Sequence, residues 1–423
     1  MYNENLSWKG LRRSDPGRPR PLADAVLRLI WQKQRISRAE IAGVAGLSRS
    51  TVSEIVGEIL PMGIVTEVGE GPSRGGRRPI VLEFRDDACV ILGVEMGATH
   101  VVAALTDLRG RVLAWHTREQ AARTDPDGTR RVIDEMCDAC LAAPAAAGRP
   151  LVGIGVALPC PVDPSHPSRM STLVMPDWGG RHGLEALAAK HDVPLMVDND
   201  ANLGALAEHW WGAGRGVDDL VYIKVAMGVG SGHVIGGEIY RGATGVAGEI
   251  GHLSIDPQGK PCLCGLRGCL VTLVGGPALV ERAAELAVGH PDSPLAGHAV
   301  TIAELEDAAI AGDPLALQVT QEAAGHLGRA VAGLLNIMNP SLVIVGGMLA
   351  RLGDQLLDPL RETVKRRTLV SSVAAAELRT GDLGELAIAV GASTLVLKAA
   401  LADSRLFPRV AGKPAPAHPR VTS

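Results

Sequence analysis

From Pro21 onward the apolar residues of this 423-residue chain fall at helical spacing. Leu22, Val26, Leu29 and Ile30 share one face at i, i+4, i+7 and i+8, which predicts an amphipathic helix. Ser37-Arg38-Ala39-Glu40 is a capping box, in which hydroxyl and carboxylate each take a backbone N–H that the start of a helix leaves unpaired. It predicts a second, short helix holding Ile41 and Val44, broken by Gly46-Leu47-Ser48. Ser48 is placed to cap a third helix, whose buried stripe is Val52, Ile55, Val56, Ile59 and Leu60 and whose end is marked by Pro61 and Gly63. Ile64 to Val68 and Ile80 to Phe84 then read as strands, with a turn from Gly69 to Gly76 between them.

Three short helices, a glycine turn before the third and a hairpin after it predict a winged helix-turn-helix over residues 21–85. The third helix offers Ser48, Arg49, Ser50, Thr51 and Ser53, which are small or basic groups able to enter a major groove. The hairpin tip carries Arg74, Arg77 and Arg78 among Gly75, Gly76 and Pro79, slim enough to lie along a minor groove and meet phosphates. The alternative is a small helical domain that binds protein and keeps those arginines in water. Charge favours DNA. Residues 1–85 hold 14 basic and 9 acidic side chains, a net of +5, against 28 and 37 in the remainder, a net of −9. A basic head on an acidic body expects only the head to meet a polyanion. Residues 1–20, rich in Arg, Pro, Gly and Ser without periodicity, are expected to form a mobile basic arm.

The body, residues 86–406, alternates period-two and helical segments. Strands are predicted at 90–94, 101–106, 112–116, 152–157 and 194–197, with a helix at 127–143 before the fourth and one at 201–210 after the last. A second set of strands begins at 220–226 and 231–235. Helices at 277–288, 302–310 and 314–338, a strand at 342–345 and a closing helix at 388–401 complete it. Two similar halves of this kind predict an α/β protein with two lobes and a cleft between them. The tail at 407–423 is expected to be disordered. Neither a secretory signal nor an uninterrupted apolar run of membrane-spanning length is expected, so the expected location is the cytoplasm, with no membrane partner.

The chemistry of the body starts at His252. Three of the seven cysteines, Cys262, Cys264 and Cys269, fall within eight residues, and His252 stands ten residues upstream. Cys3His is a common zinc set, and a closed set makes the metal structural. The alternative is ordinary buried cysteines or a disulfide pair. Val197-Asp198-Asn199-Asp200-Ala201-Asn202 lies at a strand-to-helix junction, where a carboxylate can take a proton from a hydroxyl. The alternative there is helix capping by Asp198 or Asn199. Glu249, in Gly248-Glu249-Ile250-Gly251-His252, can accept hydroxyl hydrogen bonds, and His252 can hold zinc with one nitrogen and meet a ligand with the other. Three glycine turns follow strands: Gly97 and Thr99 in the first, Gly228 and Gly230 in the second, Gly346 and Gly347 in the third. Each is able to bring backbone N–H groups to a phosphate.

Taken in order, the glycine turn, Asn-Asp-Ala-Asn, Gly-Glu-Ile-Gly-His and Cys-x-Cys-Gly-x-x-Gly-Cys resemble the ROK family of bacterial sugar kinases and sugar-responsive repressors. The resemblance covers about Cys89 to Leu401. With the head in front, the chain is similar to the xylose and N-acetylglucosamine repressor branch. The resemblance implies an actin and hexokinase-like body, a duplicated ribonuclease H-like fold. It implies Asp200 in the place of a kinase's catalytic base, and Asn199, Glu249 and His252 at sugar hydroxyls. It implies zinc on His252, Cys262, Cys264 and Cys269. The departures point away from an enzyme. Glu95 stands where the kinases carry Asp, Met227 where they carry Thr, Val271 where a sugar-binding Glu is usual, and Pro159-Cys160-Pro161 where Pro-Gly-Pro is usual. Phosphoryl transfer depends on positioning and charge stabilisation, so these changes argue against ATP and Mg. The expected function is a sequence-specific regulator, a repressor, controlled by a sugar in the cleft. As a homodimer or homotetramer it would read an inverted repeat in duplex DNA. The alternatives are an ATP-dependent sugar kinase, or a regulator that answers to a protein partner instead of a sugar.

Overall fold

The computed structural model describes residues 21–70, 80–368 and 376–410. Helix α1 (Pro21–Lys33) leads through a short strand β1 (Arg35–Ser37) into α2 (Arg38–Ala45) and α3 (Arg49–Ile59). Strands β2 (Val65–Glu70) and β3 (Ile80–Phe84) pair antiparallel, and β1 adds to the other edge of β3. This is the predicted head, with two differences. β1 is too short to display a period, and Gly69 and Glu70 belong to β2 rather than to the turn. The stripe Val52, Ile55, Val56 and Ile59 is buried, whereas Val44 lies exposed.

The first lobe runs β4 (Val90–Met96), β5 (His100–Thr106), β6 (Val112–Glu119), α4 (Pro126–Leu141), β7 (Leu151–Leu158), α5 (Glu185–His191) and β8 (Leu195–Asn199). Its sheet order is β6-β5-β4-β7-β8, antiparallel across the first three strands and parallel across the last three. Helix α6 (Asp200–Trp211) starts where β8 ends. The second lobe runs β9 (Leu220–Val225), β10 (Val229–Ile235), β11 (Glu238–Tyr240), α7 (Val271–Val274), α8 (Gly276–Ala287), α9 (Ile302–Ile310), α10 (Pro314–Met338), β12 (Leu342–Gly347), α11 (Asp354–Arg367), β13 (Glu377–Thr380) and α12 (Ala387–Ala402). Its order, β11-β10-β9-β12-β13, repeats the same mixed pattern, so the body is one α/β topology used twice.

Helix α12 is apolar on every side because it packs on β4 and β7 with one face and on α6 with another. The stretch Gly384–Ala402 is therefore long and apolar enough to cross a membrane by length and composition, but Glu385 and Lys398 interrupt it and 67% of its most apolar window is buried inside the protein. Helix α11 has a different disguise. Pro359 sits inside it, yet Leu356, Leu357, Leu360 and Val364 are buried against the second lobe.

Head and body share one hydrophobic core. Val26, Ile30, Trp31 and Phe84 from the head are continuous with Trp210, Tyr222, Val396 and Leu401 from the body. Of the tail at 407–423, expected to be disordered, residues 407–410 are ordered, while 411–423 lie outside the described residues. Phe407 is buried in that shared core, and the Val410 N–H donates to the Met62 carbonyl of the head. Phe407 and Val410 find a surface that the folded head helps to provide.

Candidate functional site

In the head, the Ser37 backbone N–H donates to Glu40 Oε2 at 2.8 Å, and the Glu40 N–H donates to Ser37 Oγ at 3.2 Å, closing the predicted capping box. Gly46 ends α2 in the left-handed conformation, φ 64°, which the tight turn into α3 requires. Ser48 caps α3 by accepting from the Thr51 N–H at 3.1 Å. The hydroxyls of Ser50 and Thr51 each lie 2.8 Å from Ser48 Oγ. Arg49, Ser50 and Ser53 are exposed together on the first turns of α3, opposite the buried stripe. Arg74, Arg77 and Arg78 fall outside the described residues.

In the body, the strand-to-helix junction divides its labour. Asn199 is the N-cap of α6: its Oδ1 accepts from the N–H groups of Ala201 and Asn202, and its Nδ2 donates to the Cys160 carbonyl at 3.2 Å. The helix start thus uses the Asn199 acceptor, as the capping alternative expected. Asp198 accepts from the Asn199 N–H, from Asn202 Nδ2 and from the Arg241 guanidinium. Asp200 is buried, and its Oδ1 accepts from the Ala201 N–H at 2.7 Å. Lys224 Nζ lies 2.6 Å from Asp200 Oδ2 and 3.4 Å from Glu95 Oε1, so one ammonium from the second lobe joins carboxylates on α6 and on the first lobe. His100 Nε2 stands 3.8 Å from the same Glu95 oxygen. Burial, and then the nearby Asp200 charge, push the Glu249 carboxyl above its usual range. Glu249 Oε2 is 3.9 Å from His252 Nε2.

Sequence reasoning missed Lys224. Its signal is a lone charge in the apolar run Leu220-Val221-Tyr222-Ile223-Lys224-Val225. It also missed Arg241, for which nothing local to the sequence speaks.

The other face of His252 meets the cysteines. Its Nδ1 is 3.5 Å from Cys262 Sγ, and Cys264 Sγ is 3.6 Å from Cys269 Sγ. All four donor atoms lie within 4.8 Å of one another. A tetrahedral zinc with bonds of about 2.0–2.3 Å has ligand–ligand edges of about 3.5–3.8 Å, so the donor set fits such an ion. No disulfide joins these cysteines.

The glycine turns are only partly brought together. Pairing of β9 with β12 sets Gly346 beside Lys224 and Gly347 beside Val225, next to the Gly228 turn. Gly230 follows that turn on β10, opposite Lys224. A side chain at Gly346 would begin 2.2 Å from Tyr222 Oη, so close packing of the sheet explains that glycine without a phosphate. The sulfurs of Met227 and Met348 both lie against Gly276. In the first lobe the His100 ring sits over Gly97, and Thr99 is exposed at the turn. Val271 packs into the second lobe's core.

Comparison with known proteins matches this arrangement. The ROK family model matches residues 91–399, and a winged helix-turn-helix DNA-binding model matches residues 25–66. The xylose repressor of Caldicellulosiruptor bescii is 29% identical over 392 residues, covering 91% of this chain and 96% of that protein. The DNA-binding transcriptional dual regulator NagC of Escherichia coli is 30% identical over 382 residues, covering 89% of this chain and 92% of that one. A solved ROK family transcriptional regulator, described as a homologue of the E. coli MLC protein, superposes with a TM-score of 0.77 at 28% identity, covering 91% of this chain and 97% of its own. The body, its paired sheets and the head in front of them agree in one assignment: the chain belongs to the ROK family and carries a winged helix-turn-helix ahead of its ROK body.

Proposed function

We propose that this protein is a sequence-specific transcriptional repressor whose grip on DNA is set by a sugar bound in the cleft. The observation that carries the proposal is the fusion of a DNA-reading head to a ROK body through one shared core. Arg49, Ser50, Thr51 and Ser53 would face the major groove, with Ser48 holding the helix start against a phosphate, and the wing arginines Arg74, Arg77 and Arg78 would add sequence-independent contacts. Asp200, Glu249 and His252 Nε2 would take sugar hydroxyls, with the one free N–H of Asn199 beside them. A homodimer or homotetramer in the cytoplasm, reading an inverted repeat, would place two heads on paired half-sites.

Helix α6 supplies a route between ligand and head. It starts at Asp200 in the cleft and ends about 18 Å away at Trp210 and Trp211, as its rise per residue requires. There the rings of Trp210 and Trp31 meet at 5.4 Å, and those of Trp211 and Trp31 at 6.2 Å. Trp31 belongs to α1, the first helix of the head. A sugar that moves the start of α6 would thus be felt by the head.

His252, Cys262, Cys264 and Cys269 would hold one structural zinc. The ion would supply a cross-link that fixes the loop and the ring orientation of His252. The kinase reading rests on Asp200 alone, and Lys224 weighs against it, because the ammonium occupies the hydrogen-bonding face a catalytic base needs.

Selection of bound genomic fragments by the full-length protein, with and without a panel of hexoses, pentoses and amino sugars, tests the reading. The expected result is an inverted repeat that one sugar releases, with no ATP consumed. Equal affinity for random duplex at moderate salt, under every sugar, would refute the repressor. Rapid sugar phosphorylation abolished in Asp200→Ala would install the kinase instead.

A further inference from the structure

On the seam between head, first lobe and C-terminal segment, the surface opens into a cavity of about 580 Å³. The volume lies within the ordinary range for small-molecule sites. Three arginines from distant parts of the chain line it: Arg85 directly after β3, Arg149 in the turn before β7, and Arg409 on the returning C-terminal segment. Arg85 and Arg149 are half-buried and Arg409 is exposed, so solvent reaches all three. Arg85 Nη1 donates to the Gly63 carbonyl at 2.7 Å, which fixes that guanidinium. The side chains of Arg149 and Arg409 make no hydrogen bond or ion pair among the described residues. Asp87, the acidic side chain of the wall, is exposed and beyond ion-pairing distance of all three. Three arginines less one aspartate leave the wall at +2. Residues 411–423 bring no acidic side chain to offset it. Backbone contacts hold the wall together: the Val410 N–H donates to the Met62 carbonyl, and Gly63, φ 75°, has no room for a side chain against the Val410 carbonyl.

We propose that this cavity is a second small-molecule site, and that it takes a phosphate monoester of a small metabolite. Guanidinium groups pair with phosphate oxygens two at a time, and solvent-reached guanidiniums with no carboxylate partner are free to do so. A phosphate monoester carries about −1.5 to −2 at neutral pH, which matches the +2 of the wall. Pro150 and Val410 offer apolar surface to the organic part. A neutral sugar would leave three cations without counter-charge. Duplex DNA fits the place less well. Its backbones are convex where the cavity is concave, and Arg85 stands beyond the end of β3 that is remote from the wing tip. The four steps along that strand span about 13 Å. An ester held by all three arginines would tie head, first lobe and C-terminal segment together. It would stabilise the joined form and change operator affinity without entering the cleft. The effect on DNA rests on the function proposed above for the head; the binding does not.

The test uses the full-length protein with glucose 6-phosphate and glycerol 3-phosphate as probes. Glucose serves as the neutral control and sulfate, at matched ionic strength, as the simple anion. Calorimetric titration measures binding to the parent, to a cleft variant (Asp200→Asn with Glu249→Gln), and to Arg149→Gln and Arg409→Gln. Neither arginine substitution removes a bond within the protein, so both variants should fold as the parent does. The expected result is an ester that binds parent and cleft variant alike, and binds each arginine variant about tenfold more weakly or worse, as loss of a charged hydrogen-bond donor implies. That ester should also raise the melting temperature of the cleft variant and shift its operator affinity. The proposal is overturned if neither ester binds the cleft variant, if binding survives both arginine substitutions, or if sulfate binds as tightly as the esters. It is overturned too if both arginine variants lose operator affinity while no ester binds, since the arginines would then serve DNA. None of those outcomes removes the sugar from the cleft or the DNA from the head.

Discussion

Lys224 is the one charge on β9, and it faces two carboxylates from different parts of the body, Asp200 at 2.6 Å and Glu95 at 3.4 Å. Burial by itself would lower its pKa, but the two carboxylates more than offset this and hold it at about 12, against an ordinary 10.5. A base raised in the folded state adds stability that is whole below its unfolded pKa and is lost as pH climbs through the folded one. Lys224→Met would leave two carboxylates without a counter-ion. Breaking a buried pair costs about 3–5 kcal/mol, and the slight exposure of this group favours the lower end. Urea unfolding should show parent and variant differing by about 3 kcal/mol near neutral pH, with the gap narrowing as pH rises through about 12. A gap below about 1 kcal/mol, typical of surface pairs, would mean that the bridge does not join the lobes.

At the scale of the element, the loop from His252 to Cys269 has little hydrophobic support of its own, since Leu253, Leu263 and Leu266 are exposed. Its order then depends on the metal set. Cys262→Ser should drop zinc from about one per chain toward none, by elemental analysis of metal-preserved protein, and should lower the melting temperature. Full zinc content in that variant would remove Cys262 from the ligand set. Helix α6 makes a different demand. Trp211 Nε1 donates to Thr394 Oγ1 on α12 at 2.8 Å, fixing the far end of the helix. Trp211→Phe keeps an aromatic ring, though a smaller one, and deletes that bond. The ratio of operator affinities with and without the releasing sugar should shrink by about 0.5–2 kcal/mol, the usual range for a residue on a coupling route. Sugar affinity and operator affinity measured alone should change less. An unchanged ratio would take α6 out of the coupling.

Across the whole molecule, the C-terminal segment returns to the head. The Ser404 N–H donates to Asp24 Oδ1 at 3.0 Å, Phe407 fills the shared core, and Val410 pairs with Met62. Phe407→Ala should cost about 3–5 kcal/mol, as truncation of a buried aromatic does. The loss falls on the seam between head and body. Calorimetry should therefore split one transition into two, with the head melting first and operator binding falling with it. A single transition shifted as a whole would mean that the seam contributes no separate cooperativity.

Local pattern alone gave the head almost entire, because caps, turn glycines and apolar stripes act over fewer than five residues. Ser37, Gly46, Ser48 and Val52 each do what their neighbours demand. The spacing of His252, Cys262, Cys264 and Cys269 was legible for the same reason, since one loop brings all four donors together. The short strands β1, β11 and β13 were not legible, as three or four residues carry no period and form only because a partner edge is present. Helix α11 hid behind Pro359 until burial of its leucines compensated the lost backbone bond. The cleft was decided by tertiary structure. The Asn199 cap is local, made two and three residues along the chain, but whether Lys224 would reach Asp200 and Glu95 depended on contacts between residues 24 and 129 positions apart. The union of head and body was decided in the same way, through a tail that looks formless until the surface it covers exists. Sequence determined what each segment could form; contacts between distant segments determined which of those groups were left free to act.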